Sequence, residues 1–121
     1  MDAERTHICD HALTQVFSLL GKRWTGMIIG VLLEGPRRFA ELARSMPSIT
    51  DGMLSSRLAE LRDAGLVERQ IVEGPPVATI YKLTPRGQAL RPALTELTEW
   101  ARVHMEEAAG RDLPHLELSD G

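Results

Sequence analysis

Three side chains near the amino terminus, His7, Cys9 and His11, are of types that ligate metals, and a cysteine is also a nucleophile. His7 and His11 are four residues apart, so they share one face if the segment is helical. A closed zinc site needs four ligands, and no second cluster supplies them, since His104 and His115 are isolated. We therefore expect no metal and no cofactor.

Catalytic motifs are missing from the rest of the sequence. There is no Ser/His/Asp order, no glycine-rich phosphate loop and no pair of carboxylates in apolar surroundings. The acidic residues fall on sides of the predicted elements that face solvent. The sequence therefore predicts a protein that is not an enzyme, and its informative residues are those that bind.

The segment from Ser48 to Val67 has the pattern of a helix that enters a groove. Thr50 is a favourable N-cap, and Asp51 in the first turn complements the helix dipole. An apolar stripe follows at i, i+4 and i+7, formed by Leu54, Leu58 and Leu61. Small and polar residues lie on the opposite side, with Met53 and Ser55 beside them: Gly52, Ser56, Ala59 and Asp63. Such a helix fits the major groove of DNA, although a half-buried surface helix has the same pattern.

The neighbouring elements favour the DNA-binding interpretation. A short helix over 39–46, closed by Pro47, precedes a tight turn into the Thr50 helix. Two strands are predicted over 66–72 and 78–84, joined by a tip that contains Gly74, Pro75 and Pro76. The order predicts a winged helix-turn-helix, which is a mainly α fold with a small β-hairpin wing (α+β).

Three further helices are predicted around this motif. The helix over 9–20 is amphipathic and ends at Gly21. The segment 24–33 is apolar on nearly all sides, so we expect a central buried helix. The last helix begins at Thr84, with Pro85 in its first position, and is expected to run without a break to about residue 108.

Length and composition predict one globular domain over residues 1–109 and a flexible acidic tail over 110–121, because 121 residues with 43 % apolar side chains suffice for one core. The longest apolar run, Met27 to Leu33, is too short to span a membrane. The first ten residues lack the charge pattern of a signal peptide. A single cysteine fits a reducing compartment. We therefore expect a cytoplasmic protein without membrane contact.

The charge distribution is compatible with DNA binding. The net charge is −3, but residues 22–88 carry ten Lys and Arg against seven Asp and Glu, a balance of +3. The first 21 residues contribute −2, and residues 89–121 contribute −4. This mildly basic middle predicts few phosphate contacts and modest affinity per subunit, so two subunits are expected to bind together.

Several segments together carry a family resemblance. They are Cys9, LLGKRWT at 19–25, LLEGPRRFAEL at 32–42, ITDGMLSSRLAELRDAGLVER at 49–69, IYKLTPRGQAL at 80–90 and Trp100. In one register over residues 9–104, the chain resembles the HxlR-type transcriptional regulators, relatives of the MarR group. The resemblance implies a homodimer that binds double-stranded DNA at a pseudo-palindromic operator, represses more often than it activates, and is released by a small-molecule effector or thiol modification.

The resemblance also implies which helices form the dimer. The first and last helices bury their apolar stripes against the partner through the following residues: Leu13, Val16, Leu20, Leu94, Leu97, Trp100 and His104. The aromatic and Met side chains of these helices and the apolar helix are expected to pack in the core or the dimer seam, and an effector pocket between the helices is the alternative. Its lining is Phe17, Trp24, Met27 and Trp100.

The DNA-binding residues are expected in three places: the turn before the first motif helix, the start of the recognition helix, and the wing. They are Arg37, Arg38, Ser48, Thr50, Gly52, Met53, Ser55, Ser56, Arg57, Val77 and Lys82. For Arg57 the alternative to a phosphate contact is an internal ion pair with Glu60 or Glu41. For Arg37 and Arg38 it is a solvated pair.

In some members of the family a cysteine at the place of Cys9 senses oxidants or electrophiles. A lone cysteine does so through an intersubunit disulfide or a mixed adduct. Asp10 beside it disfavours the thiolate, and the nearest cation in the sequence is Arg5. The sequence therefore favours an inert buried thiol, and a redox sensor is the alternative.

Three positions depart from the family pattern. Asp10 stands where the family has proline after the cysteine, and Ser56 stands where glutamine often precedes the arginine. Val77 replaces the wing arginine, and Glu73 nearby repels phosphate. These departures, with the acidic tail, leave open a second class of function, a winged-helix protein-interaction module without DNA binding.

Overall fold

The structure is a computed structural model that describes residues 11–118, with side chains for residues 11–105. Predictions for His7, Cys9 and Asp10 lie outside the described residues. The elements in chain order are α1 (His11–Leu20), α2 (Thr25–Leu33), β1 (Arg37–Arg38), α3 (Phe39–Ser45), α4 (Asp51–Asp63), β2 (Val67–Val72), β3 (Ala78–Leu83), α5 (Pro85–Gln88) and α6 (Arg91–Leu118). This order confirms the winged helix-turn-helix fold.

Residues 11–88 form one compact unit, and residues 89–118 belong to a second unit that is described separately. The core of the first unit is built from α2, α3 with Met46 after it, α4 and the base of the sheet. Its most buried apolar side chains, at 1 % exposure or less, are Ile28, Ile29, Leu32, Leu42, Met46, Leu54, Leu58 and Leu61. Within the described residues, no single helix is both long enough and apolar enough to cross a membrane.

The sheet is antiparallel, with strand order β1-β3-β2. Val67 pairs with Leu83 at its base, and Val72 pairs with Ala78 at the tip of the hairpin. Val67 and Leu83 are buried, whereas the apolar side chains toward the tip are exposed. The base of the wing is therefore anchored in the core, and its tip projects from it.

Helix α2 corrects the expectation of a helix buried on all sides. Thr25, Ile28, Ile29 and Leu32 are buried, but Met27 is 52 % exposed. The glycines of this helix, Gly26 and Gly30, have no heavy atom within 4 Å of the position that a Cβ would take. A helix that is apolar on all sides is therefore not necessarily buried on all sides within one chain.

The expected continuous last helix is also wrong. α5 ends at Gln88, and α6 begins at Arg91. Pro92 gives a physical reason, because it lacks an N–H and would clash with the carbonyl of Gln88 in an unbroken helix, whereas it is tolerated in a first turn. The N-cap at Thr84 is confirmed, since its Oγ1 accepts from Gly87 N–H at 3.1 Å. α6 also extends past the predicted end, to Leu118.

At Gly87, helix α5 packs closely against Leu66, just before β2, and Leu83, at the end of β3. A Cβ at this position would meet the carbonyl oxygen of Leu66 and lie 3.0 Å from Leu83 Cδ2. We expect Gly87→Ala to lower the free energy of unfolding by about 1–3 kcal/mol, because backbone must move to admit the methyl group. Urea unfolding followed by circular dichroism measures the effect.

Gly30→Ala is the matched control, since it adds the same methyl group to an open helical position. It should be neutral or stabilise the protein by up to about 1 kcal/mol through helix propensity. Equal destabilisation by the two substitutions would contradict the packing assigned to Gly87.

Candidate nucleic-acid interface

Helix α4 presents an exposed polar side at its amino-terminal end. The leucine stripe on its other side is buried, with Leu54, Leu58 and Leu61 at 1 % exposure or less. This anchoring leaves five residues at the start of the helix exposed: Asp51, Gly52, Met53, Ser55 and Ser56. The arrangement gives α4 a surface of small and hydroxyl groups that projects from the core.

A side-chain cap fixes where α4 begins. Thr50 has an extended backbone and its Oγ1 accepts from Met53 N–H at 3.0 Å, which confirms the predicted N-cap. Ile49 is buried and Ser48 is exposed in the turn before it. The turn therefore anchors one side chain in the core and leaves its neighbour at the surface beside the first turn of α4.

Arg37 and Arg38 have different surroundings. Nη1 of Arg37 donates to the carbonyl oxygens of Gly35 and Pro36, each at 3.0 Å, and its Nη2 lies 3.2 Å from Glu34 Oε1. Arg38 caps α3 through its backbone, since Glu41 Oε1 accepts from its N–H at 2.8 Å. The Arg38 side chain is exposed, so it is the more available cation of the two.

On the wing, cations and acids are balanced. Lys82 Nζ lies 3.5 Å from Glu68 Oε2 across the β2–β3 pair, and both side chains are about half exposed. Val77 is 68 % exposed at the tip, close in the chain to the exposed Glu73. The wing thus presents an apolar tip and one paired lysine.

Arg57 forms an internal ion pair with Glu60, which was the alternative to a phosphate contact. Its Nη1 lies 3.4 Å from Glu60 Oε1, and its Nε donates to the carbonyl oxygen of Arg23 at 3.0 Å. The side chain is only 16 % exposed. In this structure the guanidinium group contacts the Arg23 carbonyl oxygen and Glu60, and Glu41 is not its partner.

Two further cations near the motif were not among the predicted site residues. Arg44 is exposed in the last turn of α3, and Arg69 is exposed on β2, opposite Tyr81. Among the residues that the structure describes, Arg38, Arg44 and Arg69 form no ion pair. The sequence signal for Arg44 was its position as the basic residue of the short motif helix, because that helix crosses the DNA backbone in such motifs.

The residues predicted for dimerisation on α1 are incompletely covered. α1 has no buried residue, and Leu13, Val16 and Leu20 are all partly exposed. Phe17, predicted for the effector pocket, is 52 % exposed, like Met27. The apolar stripe of α1 is therefore partly covered and not fully buried.

The second unit has its own exposed apolar side chains. On α6, Leu97 is 50 % and Trp100 is 56 % exposed, while Leu94 is partly buried. The Trp100 ring lies 5.0 Å from the exposed His104 ring.

Trp24 belongs to the first unit, where the Arg23 guanidinium lies over its ring at 5.0 Å. Whether these residues form a pocket or a seam stays a prediction.

Comparison with known proteins places this geometry among transcriptional regulators. Residues 19–109 match the family model described as HxlR-like helix-turn-helix. The HTH-type transcriptional regulator YodB of Bacillus subtilis is 47 % identical over 89 residues, which cover 74 % of this chain and 80 % of the relative.

Solved structures agree with this match. The reduced form of YodB from B. subtilis superposes with a TM-score of 0.74 at 44 % identity, covering 81 % of this chain and 96 % of that one. The quinone-bound form of YodB gives 0.67 at 45 % identity, with coverages of 75 % and 96 %. The redox regulator HypR in its oxidised form gives 0.72 at 31 % identity, with coverages of 78 % and 97 %.

Substitution of Thr50 tests whether its side chain caps the start of α4. Thr50→Ala should lower the free energy of unfolding by about 1 kcal/mol, because Met53 N–H loses its acceptor. Ser56→Ala, at an exposed position within the same helix, should change it by less than about 0.5 kcal/mol. Urea unfolding of both variants checks the difference, and equal values would contradict the cap.

Proposed function

The chain belongs to the HxlR-like helix-turn-helix family of transcriptional regulators, and from this premise we propose that it is a homodimeric repressor that binds a pseudo-palindromic operator. The proposal also includes release from DNA through modification of Cys9 or through a small-molecule effector. A protein with this task works beside chromosomal DNA, and we place it in the cytoplasm.

One observation supports the proposal most directly. Helix α4 is held in the core by its leucine stripe while its first two turns are exposed on the other side. A second helix of a helix-turn-helix motif that projects in this way can enter a major groove with its amino-terminal residues toward the base edges. A protein-interaction module has no need of a polar, small-residue surface at this end of the helix.

We assign the contacts by the chemistry of the exposed groups. Ser55, Ser56 and Met53 face the base edges, where hydroxyl groups bond either donors or acceptors and Met53 contacts a thymine methyl. Gly52 allows the backbone to approach closely. Contacts that position the protein on the phosphates come from the remaining surface residues: Arg38, Arg44, Ser48, Thr50 and Lys82. Val77 at the wing tip supplies an apolar contact in place of a cation, and Arg37 supports the turn that carries Arg38.

Uncovered apolar surface supports the dimer. α1 has no buried residue, and Leu97 and Trp100 on α6 are each at least half exposed. Exposed apolar side chains that cluster on a helix mark protein contacts more often than solvent-facing surface. A symmetric dimer places two recognition helices on half-sites about one helical turn apart, and it compensates for the few phosphate contacts that each chain makes.

For release, we favour thiol chemistry at Cys9. YodB has been solved quinone-bound, and HypR is a redox regulator solved in an oxidised form. A quinone accepts a thiolate by conjugate addition, which forms one C–S bond and transfers the thiol proton to the ring oxygen. An oxidant instead takes two electrons and two protons from two Cys9 thiols and leaves one intersubunit disulfide. A non-covalent effector in the pocket predicted from the sequence is the alternative route.

The phosphate contacts are tested with Arg38→Ala. Binding of the purified protein to its own upstream DNA, titrated in salt, should weaken on all fragments. The salt slope should fall by about 0.9 for each phosphate that Arg38 neutralises in the wild-type complex. Arg62→Ala removes the same charge at the opposite end of α4 and should leave the slope unchanged. Absence of salt-dependent binding by the wild-type protein would contradict the regulator and favour the interaction module.

The release mechanism is tested with Cys9→Ser. Treatment with a quinone or with diamide should abolish DNA binding by the wild-type protein and leave the variant bound, because serine forms neither the adduct nor the disulfide. Gel-shift assays before and after treatment, with mass spectrometry of the adduct, measure both effects. If wild type and variant respond alike, the thiol is not the switch and the non-covalent effector becomes the better explanation.

A further inference from the structure

Two side chains of helix α4 hold the loop between α1 and α2. Arg57 Nε donates to the carbonyl oxygen of Arg23 at 3.0 Å, across 34 residues of chain. Glu60 Oε2 accepts from Lys22 Nζ at 3.1 Å, and its other oxygen, Oε1, lies 3.4 Å from Arg57 Nη1. We call these four residues, Lys22, Arg23, Arg57 and Glu60, the α4 brace. It joins the recognition helix to the residues that follow α1.

The loop that the brace holds has an unusual backbone. Trp24 has φ 79° and ψ −20°, in the left-handed region that residues other than glycine rarely adopt. The carbonyl group of Arg23 and the nitrogen of Trp24 belong to one planar peptide unit. Rotation about φ of Trp24 turns that unit relative to α2, so the hydrogen bond from Arg57 acts directly on the strained torsion. Such a conformation persists only where its surroundings fix it.

The burial of Arg57 favours an internal contact of its guanidinium group over a contact with a DNA phosphate. The side chain is 16 % exposed, compared with 46 % for Lys22 and 33 % for Glu60. A phosphate contact would require the guanidinium group to leave the Arg23 carbonyl and Glu60. A guanidinium group holds a carbonyl and a carboxylate at once because its donors form a rigid planar fork.

We propose that Arg57 is a positioning residue, which with Glu60 sets the orientation of the recognition helix relative to the end of α1. This inference rests on the proposed function, since it assumes that α4 binds DNA. In the proposed dimer α1 belongs to the interface, so a rearrangement there reaches α4 through residues 22–24. Arg57 then contributes to DNA affinity without touching a phosphate.

Substitutions at Arg57 test the inference in the full-length protein. Binding to the upstream DNA should weaken about tenfold for both Arg57→Ala and Arg57→Lys, with the wild-type salt slope, because lysine retains the charge but not the planar fork. A phosphate contact gives the opposite pattern. Lysine would then restore near-wild-type affinity, and alanine would lower the slope by about 0.9, which would overturn the proposal.

Glu60→Gln gives a test with opposite signs. If the brace positions α4, loss of the carboxylate releases Arg57 and Lys22, and affinity should fall about three- to tenfold. If Arg57 is a phosphate ligand held back by Glu60, the same substitution should raise affinity. Glu99→Gln is the control, because it removes the same charge from the i, i+3 pair of Glu99 with Arg102, 3.1 Å apart on α6, and should leave affinity unchanged.

A DNA-independent readout separates failure of this inference from failure of the proposed function. Trp24 and Trp100 are the two tryptophans, so Trp100→Phe leaves Trp24 as the single fluorophore. In that background Arg57→Lys should shift the Trp24 emission, because the loop that stacks Arg23 on the ring is released. Unchanged emission would overturn the brace. A shifted emission together with no DNA binding by the wild-type protein at any salt would instead count against the proposed function alone.

Discussion

Burial of one leucine stripe is the constraint on which the arrangement of the motif depends. Leu54, Leu58 and Leu61 are each at most 1 % exposed, and their spacing leaves a single rotation of α4 that buries all three. Truncation of one such side chain to alanine typically costs about 2–5 kcal/mol. An exposed ion pair such as Lys82–Glu68 contributes about 0–1 kcal/mol. Apolar packing therefore sets which side of the recognition helix faces outward.

Packing alone does not set every degree of freedom of α4. A leucine stripe fixes the rotation of a helix about its axis more firmly than its tilt, because neighbouring apolar side chains can slide over one another. The hydrogen bond from Arg57 to Arg23 is directional and joins positions far apart in the chain. Apolar burial and this polar contact thus have complementary roles in holding α4.

The sequence predicts well what depends on near neighbours in the chain. The Thr50 cap, both wing strands and the short helix before the turn all follow from local pattern and turn residues, and the structure confirms them. The orientation of α4 also follows, since its leucine period is unambiguous. These features can be predicted without knowledge of the tertiary contacts.

What depends on tertiary contacts could not be read from the pattern. The apolar composition of α2 does not distinguish burial inside one chain from surface left for a partner, so the exposure of Met27 was unexpected. Arg57 had two explanations in the sequence, and only the fold brings the Arg23 carbonyl to it. The break before α6 had a local signal in Pro92, but the strong start at Thr84 and Pro85 concealed it.

In the proposed dimer, two copies of α4 read two half-sites from one face of the duplex. Hydroxyl-radical footprinting of the purified protein on its upstream DNA shows whether they do. We expect two protected segments related by an approximate two-fold axis and centred about 10 base pairs apart, one helical turn. A single protected segment, or two segments on opposite faces of the duplex, would rule out the proposed dimer on DNA.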